Sequence, residues 1–178
     1  MQTLEPEIAA TFRAGSLTAL GRVAEQYQAS LYRLGWRMFA NRHAAEDFVQ
    51  DALLHAFAKR HRYDPRRPFA PWFYKVALNL ARQKLRRRRE YPAGDGLPET
   101  PMEPRADTDL ERGEEQERVR RALAAVPATF REGLALRFET DMPLHEMARV
   151  MGLPMGTVKS RLNRGLKLFA KAYRATGG

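Results

Sequence analysis

The chain has 178 residues and no cysteine, which excludes disulfides, Cys-ligated zinc and thiol nucleophiles together. It has no stretch approaching the roughly 20 consecutive apolar residues of a membrane-spanning helix. Its start, MQTLEPEIAA, lacks the basic-then-apolar order of a secretory signal. The expectation is a cytoplasmic protein with no membrane insertion. Runs of alternating β-branched and aromatic residues bounded by hairpin turns are missing too, so the fold class expected is all-α. Nothing in the composition calls for a cofactor.

What the chain does have is charge, unevenly placed. The formal net charge is +10, and it divides into three blocks. Residues 1–91 carry 17 Lys/Arg against 8 Asp/Glu, residues 92–117 carry 2 against 9, and residues 118–178 carry 12 against 4. Two basic blocks flanking an acidic one point to a polyanion touched at both ends, since clustered Lys and Arg release counterions when they neutralise phosphates, with an anionic membrane as the competing partner. The middle block is rich in proline and has no apolar period. It reads as a flexible acidic linker over residues 92–113, joining two small helical domains, 1–91 and 114–178.

In the second domain, Pro143 to Phe169 reads as two short helices broken at Gly152. Leu144, Met147, Ala148 and Met151 follow the i, i+3, i+4, i+7 rule, and glycine suits a helix stop. The following helix starts near Met155 with Val158, Leu162, Leu166 and Phe169 on its apolar side. Ser160, Asn163, Arg164 and Lys167 fall roughly opposite. This is a helix-turn-helix whose exposed face carries the donors and acceptors of major-groove readout. The plainer alternative is an amphipathic hairpin with a solvated basic face. Ahead of it, Val119, Ala122, Leu123 and Val126 belong to a helix returning near Glu114, and Phe130, Leu134 and Phe138 to another.

In the first domain, Ser16 caps a helix with Leu17, Leu20, Val23, Ala24 and Tyr27 on one side, continuing or restarting over 31–40. A second helix spans about 44–60 and puts Ala45, Phe48, Val49, Ala52, Leu53 and Ala56 inward. Its other side holds Asp47, Gln50, Asp51 and Leu54, an acidic patch with an exposed leucine. Carboxylates facing DNA would be repelled, so this face fits a basic protein surface better. The same helix strings His43, Asp47, Asp51 and His55 at i+4 spacing, but consecutive turns span too much length for all four to share one metal ion. The third helix, about 69–90, has Phe69, Phe73, Val76, Ala77 and Leu80 on its apolar face. Lys75, Asn79, Arg82 and Arg86 line the far side, edged by Trp72 and Tyr74. A basic stripe edged by aromatics tracks a nucleic-acid backbone and stacks on unpaired bases.

In order and spacing these segments resemble the extracytoplasmic-function (ECF) sigma factors of bacteria, the compact group keeping regions 2 and 4 of the sigma-70 family. AAEDFVQDALLHAF is similar to the family's polymerase-docking helix, PFAPWFYKVALNLARQKLRRRR to its melting and minus-ten segment, and the run into GTVKSRLNRGLK to its minus-thirty-five reader. The resemblance implies an alternative sigma factor that brings core RNA polymerase to particular promoters and helps open them. It implies no enzyme activity. Asp47, Gln50, Asp51 and Leu54 would meet the beta-prime clamp helices of core polymerase, whose beta subunit is a further partner. Tyr63, Arg66 and Arg67, with Asn79, would form a pocket for a flipped base. Trp72 and Tyr74 would lie near the point of strand separation. Lys159, Ser160, Asn163 and Arg164 would read the upstream element. Where the family commonly has a base two residues after the Arg164 position, this chain has Leu166, which shifts a phosphate contact to Lys167. An anti-sigma factor is the further partner the resemblance implies. Taken alone, the residues also leave open a helix-turn-helix regulator acting on duplex DNA as a dimer.

Overall fold

The computed structural model describes residues 4–90 and 110–176, and the side chains of all of these except 110–112. Residues 91–109, most of the segment expected as a linker, lie outside the described residues. The elements in order are α1 (Pro6–Ala14), α2 (Leu17–Phe39), α3 (Arg42–Ala58), a 3-10 turn (Arg60–Arg62), α4 (Phe69–Glu90), α5 (Leu110–Ala125), α6 (Ala128–Glu139), α7 (Leu144–Met151) and α8 (Met155–Ala175). No strand occurs among the described residues.

Helix α1 was not anticipated, although its punctuation is in the sequence. Pro6 opens it, and Gly15, at φ +97°, closes it in the left-handed region. Ser16 then caps α2, its hydroxyl accepting the Ala19 N–H at 3.2 Å. Helix α2 runs unbroken because Ala19, Val23, Tyr27, Leu31, Leu34 and Met38 keep one buried stripe along it. The expectation that Leu17 joins that stripe is corrected. It is 73% exposed, lying six residues before Val23 and hence about 240° around the helix at roughly 100° per residue.

Asn41 caps α3 by accepting the Ala44 N–H at 2.7 Å, and Ala45, Phe48, Ala52 and Ala56 face inward. Gly35 permits the close approach of α2 and α3, since a Cβ there would sit 2.8 Å from Phe48 Cδ1 and 3.2 Å from Ala45 Cα. Helix α4 packs its aromatic side against α1 and α2. The Phe69 ring lies 5.3 Å from Phe12 and 5.4 Å from Phe73, and Phe73 lies 4.8 Å from Tyr27.

In the second unit, helix begins at Leu110 rather than Glu114. The early turns of α5 are held by charge pairs, Glu115 with Arg118 and Glu117 with Arg120 and Arg121. Such i, i+3 and i, i+4 pairs stabilise a helix without an apolar period. Phe138, expected on the inner side of α6, is 60% exposed, while Leu134, Ala135 and Leu136 are buried. The two units also pack on each other, α6 against α2 and α7 against α4. Buried residues of both units, from Met38 to Leu136, Met142, Met147 and Val150, belong to one contiguous apolar cluster.

Candidate protein-docking and nucleic-acid interfaces

On α3, Asp47, Gln50, Asp51 and Leu54 are all exposed, and Leu54 is 62% exposed, in keeping with a face that points away from the core. Asp51 is engaged by Lys84 of α4 at 2.5 Å. The acidic patch therefore includes one intramolecular pair. His43, Asp47, Asp51 and His55 remain strung along the helix, and no three possible metal ligands gather among the described residues.

The turn between α3 and α4 is firmly built. The Tyr63 hydroxyl donates to the Arg67 carbonyl at 2.8 Å, and the Asp64 carboxylate accepts the backbone N–H of Arg66 and its Nε, both at 3.1 Å. Those bonds from Arg66 hold the Asp64 carboxyl below the usual carboxylate range. Arg66 and Arg67 project into solvent. Tyr63 itself is only 4% exposed, its ring 5.2 Å from Phe69 and 5.3 Å from Trp72. Tyr63, expected to help form a base pocket with Arg66, Arg67 and Asn79, thus lies beneath the turn and presents little of its ring to solvent.

Tyr74 is likewise a core residue, with its hydroxyl donating to Ser30 Oγ at 2.9 Å. Burial, the largest influence, pushes its phenol above the ordinary range. A period-3.6 reading places Tyr74 at the edge of the stripe, but α2 covers that edge. Trp72 is half-buried. Phe12 of α1 supports its indole at 6.3 Å. It lines a cleft of about 640 Å³ with Arg62, Asp64, Arg67, Pro68, Pro71 and Lys75, closed on the other side by Glu146, Arg149 and Val150 of α7. Lys75, Asn79 and Arg86 are exposed along α4. Arg82 is not free: its Nε donates to Glu132 of α6 at 3.1 Å, and its Nη2 to Glu132 and, at 2.8 Å, to the Met151 carbonyl.

The helix-turn-helix is formed as expected. Gly152 stops α7 at φ +69°, and Pro154 stands immediately before α8. Val158 is buried and Leu162 half-buried, while Lys159, Ser160, Asn163, Arg164 and Lys167 are exposed. The Arg164 guanidinium lies 5.5 Å over the Phe130 ring. Leu166, expected inside, is 44% exposed. Gly165 takes the contact instead: a Cβ there would meet Leu134 Cγ and the Phe130 carbonyl, each at 3.2 Å. This close approach rolls α8 so that Leu166 faces outward.

Sequence reasoning passed over Arg33, Arg37, Glu132 and Glu139, which join the two units. Glu132 and Glu139 are among only four acids in a strongly basic segment, and they sit seven residues apart on one face of α6. That isolation was the available signal.

The chain matches the family models described as Sigma-70 region 2, over residues 23–91, and Sigma-70, region 4, over residues 122–168. It is 26% identical over 176 residues to the ECF RNA polymerase sigma factor SigW of Bacillus subtilis, covering 91% of this chain and 92% of that protein. It is 32% identical over 148 residues to the ECF RNA polymerase sigma factor EcfG of Rhodopseudomonas palustris, covering 81% of this chain and 80% of that one. Among solved structures, its fold is that of the sigma factor RpoE of Bartonella quintana in complex with the anti-sigma factor NepR, at a TM-score of 0.67 and 20% identity, covering 86% of this chain and 96% of that one.

Proposed function

Since the chain belongs to the ECF sigma factors of the sigma-70 family and is an alternative RNA polymerase sigma factor, we propose how its surfaces divide the work. The face of α3 docks on core polymerase, at the beta-prime clamp helices. The stripe of Lys75, Asn79 and Arg86 on α4, with Trp72, Arg66 and Arg67 at its head, takes the minus-ten strand and helps part the duplex. Lys159, Ser160, Asn163, Arg164 and Lys167 on α8 read the minus-thirty-five element. The protein works in the cytoplasm by binding alone, with no covalent chemistry.

The observation that carries this reading is the exposed Asp47–Gln50–Leu54 face on the same unit as the basic stripe of α4. A regulator that binds duplex DNA through its hairpin has use for neither. The match to region 2 over residues 23–91 favours the sigma-factor reading over that one. An anti-sigma factor is proposed as a further partner, in keeping with the partner of the Bartonella quintana protein.

The docking assignment is tested with Asp47→Lys and Leu54→Ala, because Asp51 already has Lys84 as a partner. Asp47→Lys places a like charge against a basic surface, and its cost is expected to be about 2 to 5 kcal/mol of core affinity. Capture of core polymerase by this variant at the wild-type level removes α3 as the docking face.

A further inference from the structure

The contact between the two units is built from opposite charges with their roles cleanly divided. Both acids, Glu132 and Glu139, stand on α6. The bases stand on the first unit, Arg33 and Arg37 on α2 and Arg82 on α4. Arg33 Nε donates to Glu139 Oε2 at 2.6 Å and Arg37 to its other oxygen. Arg82 grips Glu132 through Nε and Nη2. The acid side chains are almost fully enclosed, at 2% exposure for Glu139 and 7% for Glu132. Burial is the largest influence on Arg37 and pushes its guanidinium below its ordinary range, with Glu139 opposing that shift. Removing Glu139 therefore leaves a cation that is poorly solvated and unneutralised.

This contact lays α7 along α4. Val150 is buried, and Glu146 and Arg149 face Trp72 and Lys75 across one cleft. Further along, Arg82, Arg86 and Arg89 face Gly152, Leu153 and Arg161 across a second. A strand tracking Lys75, Asn79, Arg82 and Arg86 would run against α7 in the first cleft and meet an already engaged Arg82 in the second. One of the gripping arginines, Arg82, lies on that same stripe, so Glu132 sits where a phosphate would.

We propose that Glu132 and Glu139 form an intramolecular latch, holding the reader unit over the minus-ten face of the free protein and excluding single-stranded DNA from α4 until phosphates replace Glu132 at Arg82. The masking half of the proposal rests on the assignment of α4 to the minus-ten strand. The latch half does not.

The chain has no native cysteine, so labels can be placed at Gln28→Cys on α2 and Lys171→Cys on α8, both exposed positions, and their separation read by energy transfer. The variants are Glu132→Gln with Glu139→Gln, and separately Arg37→Gln, which lies outside the DNA surfaces. Circular dichroism verifies that each remains folded. The expected result is a longer separation in both, and binding of a short mixed-sequence single-stranded DNA at least roughly fivefold tighter, since a competent state populated in a minor fraction lowers apparent affinity by that fraction. The swap Arg37→Glu with Glu139→Arg should restore the short separation.

An unchanged separation in both variants overturns the latch. A longer separation with unchanged strand affinity overturns the masking, and Lys75→Ala tells why. If Lys75→Ala weakens strand binding, the minus-ten assignment stands and α7 does not obstruct it. If Lys75→Ala has no effect, that assignment has failed and the masking falls with it.

Discussion

Arg164 and Lys167 lie within one turn of α8 and are both exposed, yet their chemistry separates them. A guanidinium can pair bidentately with a base edge, and the Phe130 ring beneath Arg164 limits where it points. An ammonium is a point charge suited to phosphate. Arg164→Ala should alter which upstream sequence is preferred, costing about 1 to 3 kcal/mol at one base position. Lys167→Ala should weaken all sequences alike and lower the slope of log affinity against log salt by roughly 0.9. Binding titrations over a set of duplexes at several salt concentrations distinguish the two. A sequence-independent loss at Arg164 would return it to the backbone. The same separation by environment divides the aromatics near α4. Tyr63 and Tyr74 are buried and hydrogen-bonded, whereas Trp72, the one of the three proposed to meet a base, is half-buried at the cleft. Trp72→Ala should slow opening of a duplex promoter and spare one already mismatched over the minus-ten element, as read by permanganate footprinting. Equal losses on both templates would contradict a role in opening.

Helices with both a long apolar stripe and clear caps were legible from the sequence. Helix α1 has the caps, Pro6 and Gly15, but buries only Ala9 and Phe12, too few to show a period. Ser16, Pro68 and Gly152 marked boundaries that the structure keeps, and the exposed side of α3 followed directly from its period. Leu110 to Gly113 read as linker because they carry no apolar period, whereas the turns that follow are held by the ion pairs of Glu115 and Glu117. Leu166 and Phe138 were misplaced because a period tells which residues share a side, and the close approach at Gly165 decides which side is inside. Glu117 gives this account of α5 a test in pH. Its hydrogen bond from Arg120, with Arg121 adding to it against burial, lowers its carboxyl from 4.5 to about 2. A carboxyl depressed in the folded state lends stability that is fully present above pH 4.5 and lost as pH falls through about 2. The thermal midpoint of wild type should therefore exceed that of Glu117→Gln above pH 4.5, and the gap should close in that acid window. A gap that persists at the acid end would assign it to packing. At the crossing of α2 and α3, Gly35→Ala should cost about 1 to 3 kcal/mol in denaturant unfolding, because Phe48 and the Ala45 backbone stand within reach of the added methyl. A neutral substitution would show that the crossing can relax.

Across the whole molecule, two basic units are joined in one chain, and the face of α3 that carries Asp47, Gln50 and Leu54 is exposed. The surfaces proposed above for polymerase, the minus-ten strand and the minus-thirty-five element, presented together to one promoter complex, would act as linked weak contacts whose combined affinity exceeds that of any one alone. In sequence, Arg33, Arg37 and Arg82 look like solvated basic positions, and only the fold brings Glu132 and Glu139 to them. Run-off transcription with purified core polymerase on genomic promoter fragments reads whether the protein directs core polymerase to promoters. Discrete transcripts should require the protein and should fall together with core capture in Asp47→Lys. Transcripts independent of the protein, or none with a protein that nevertheless binds the same duplexes, would contradict that role.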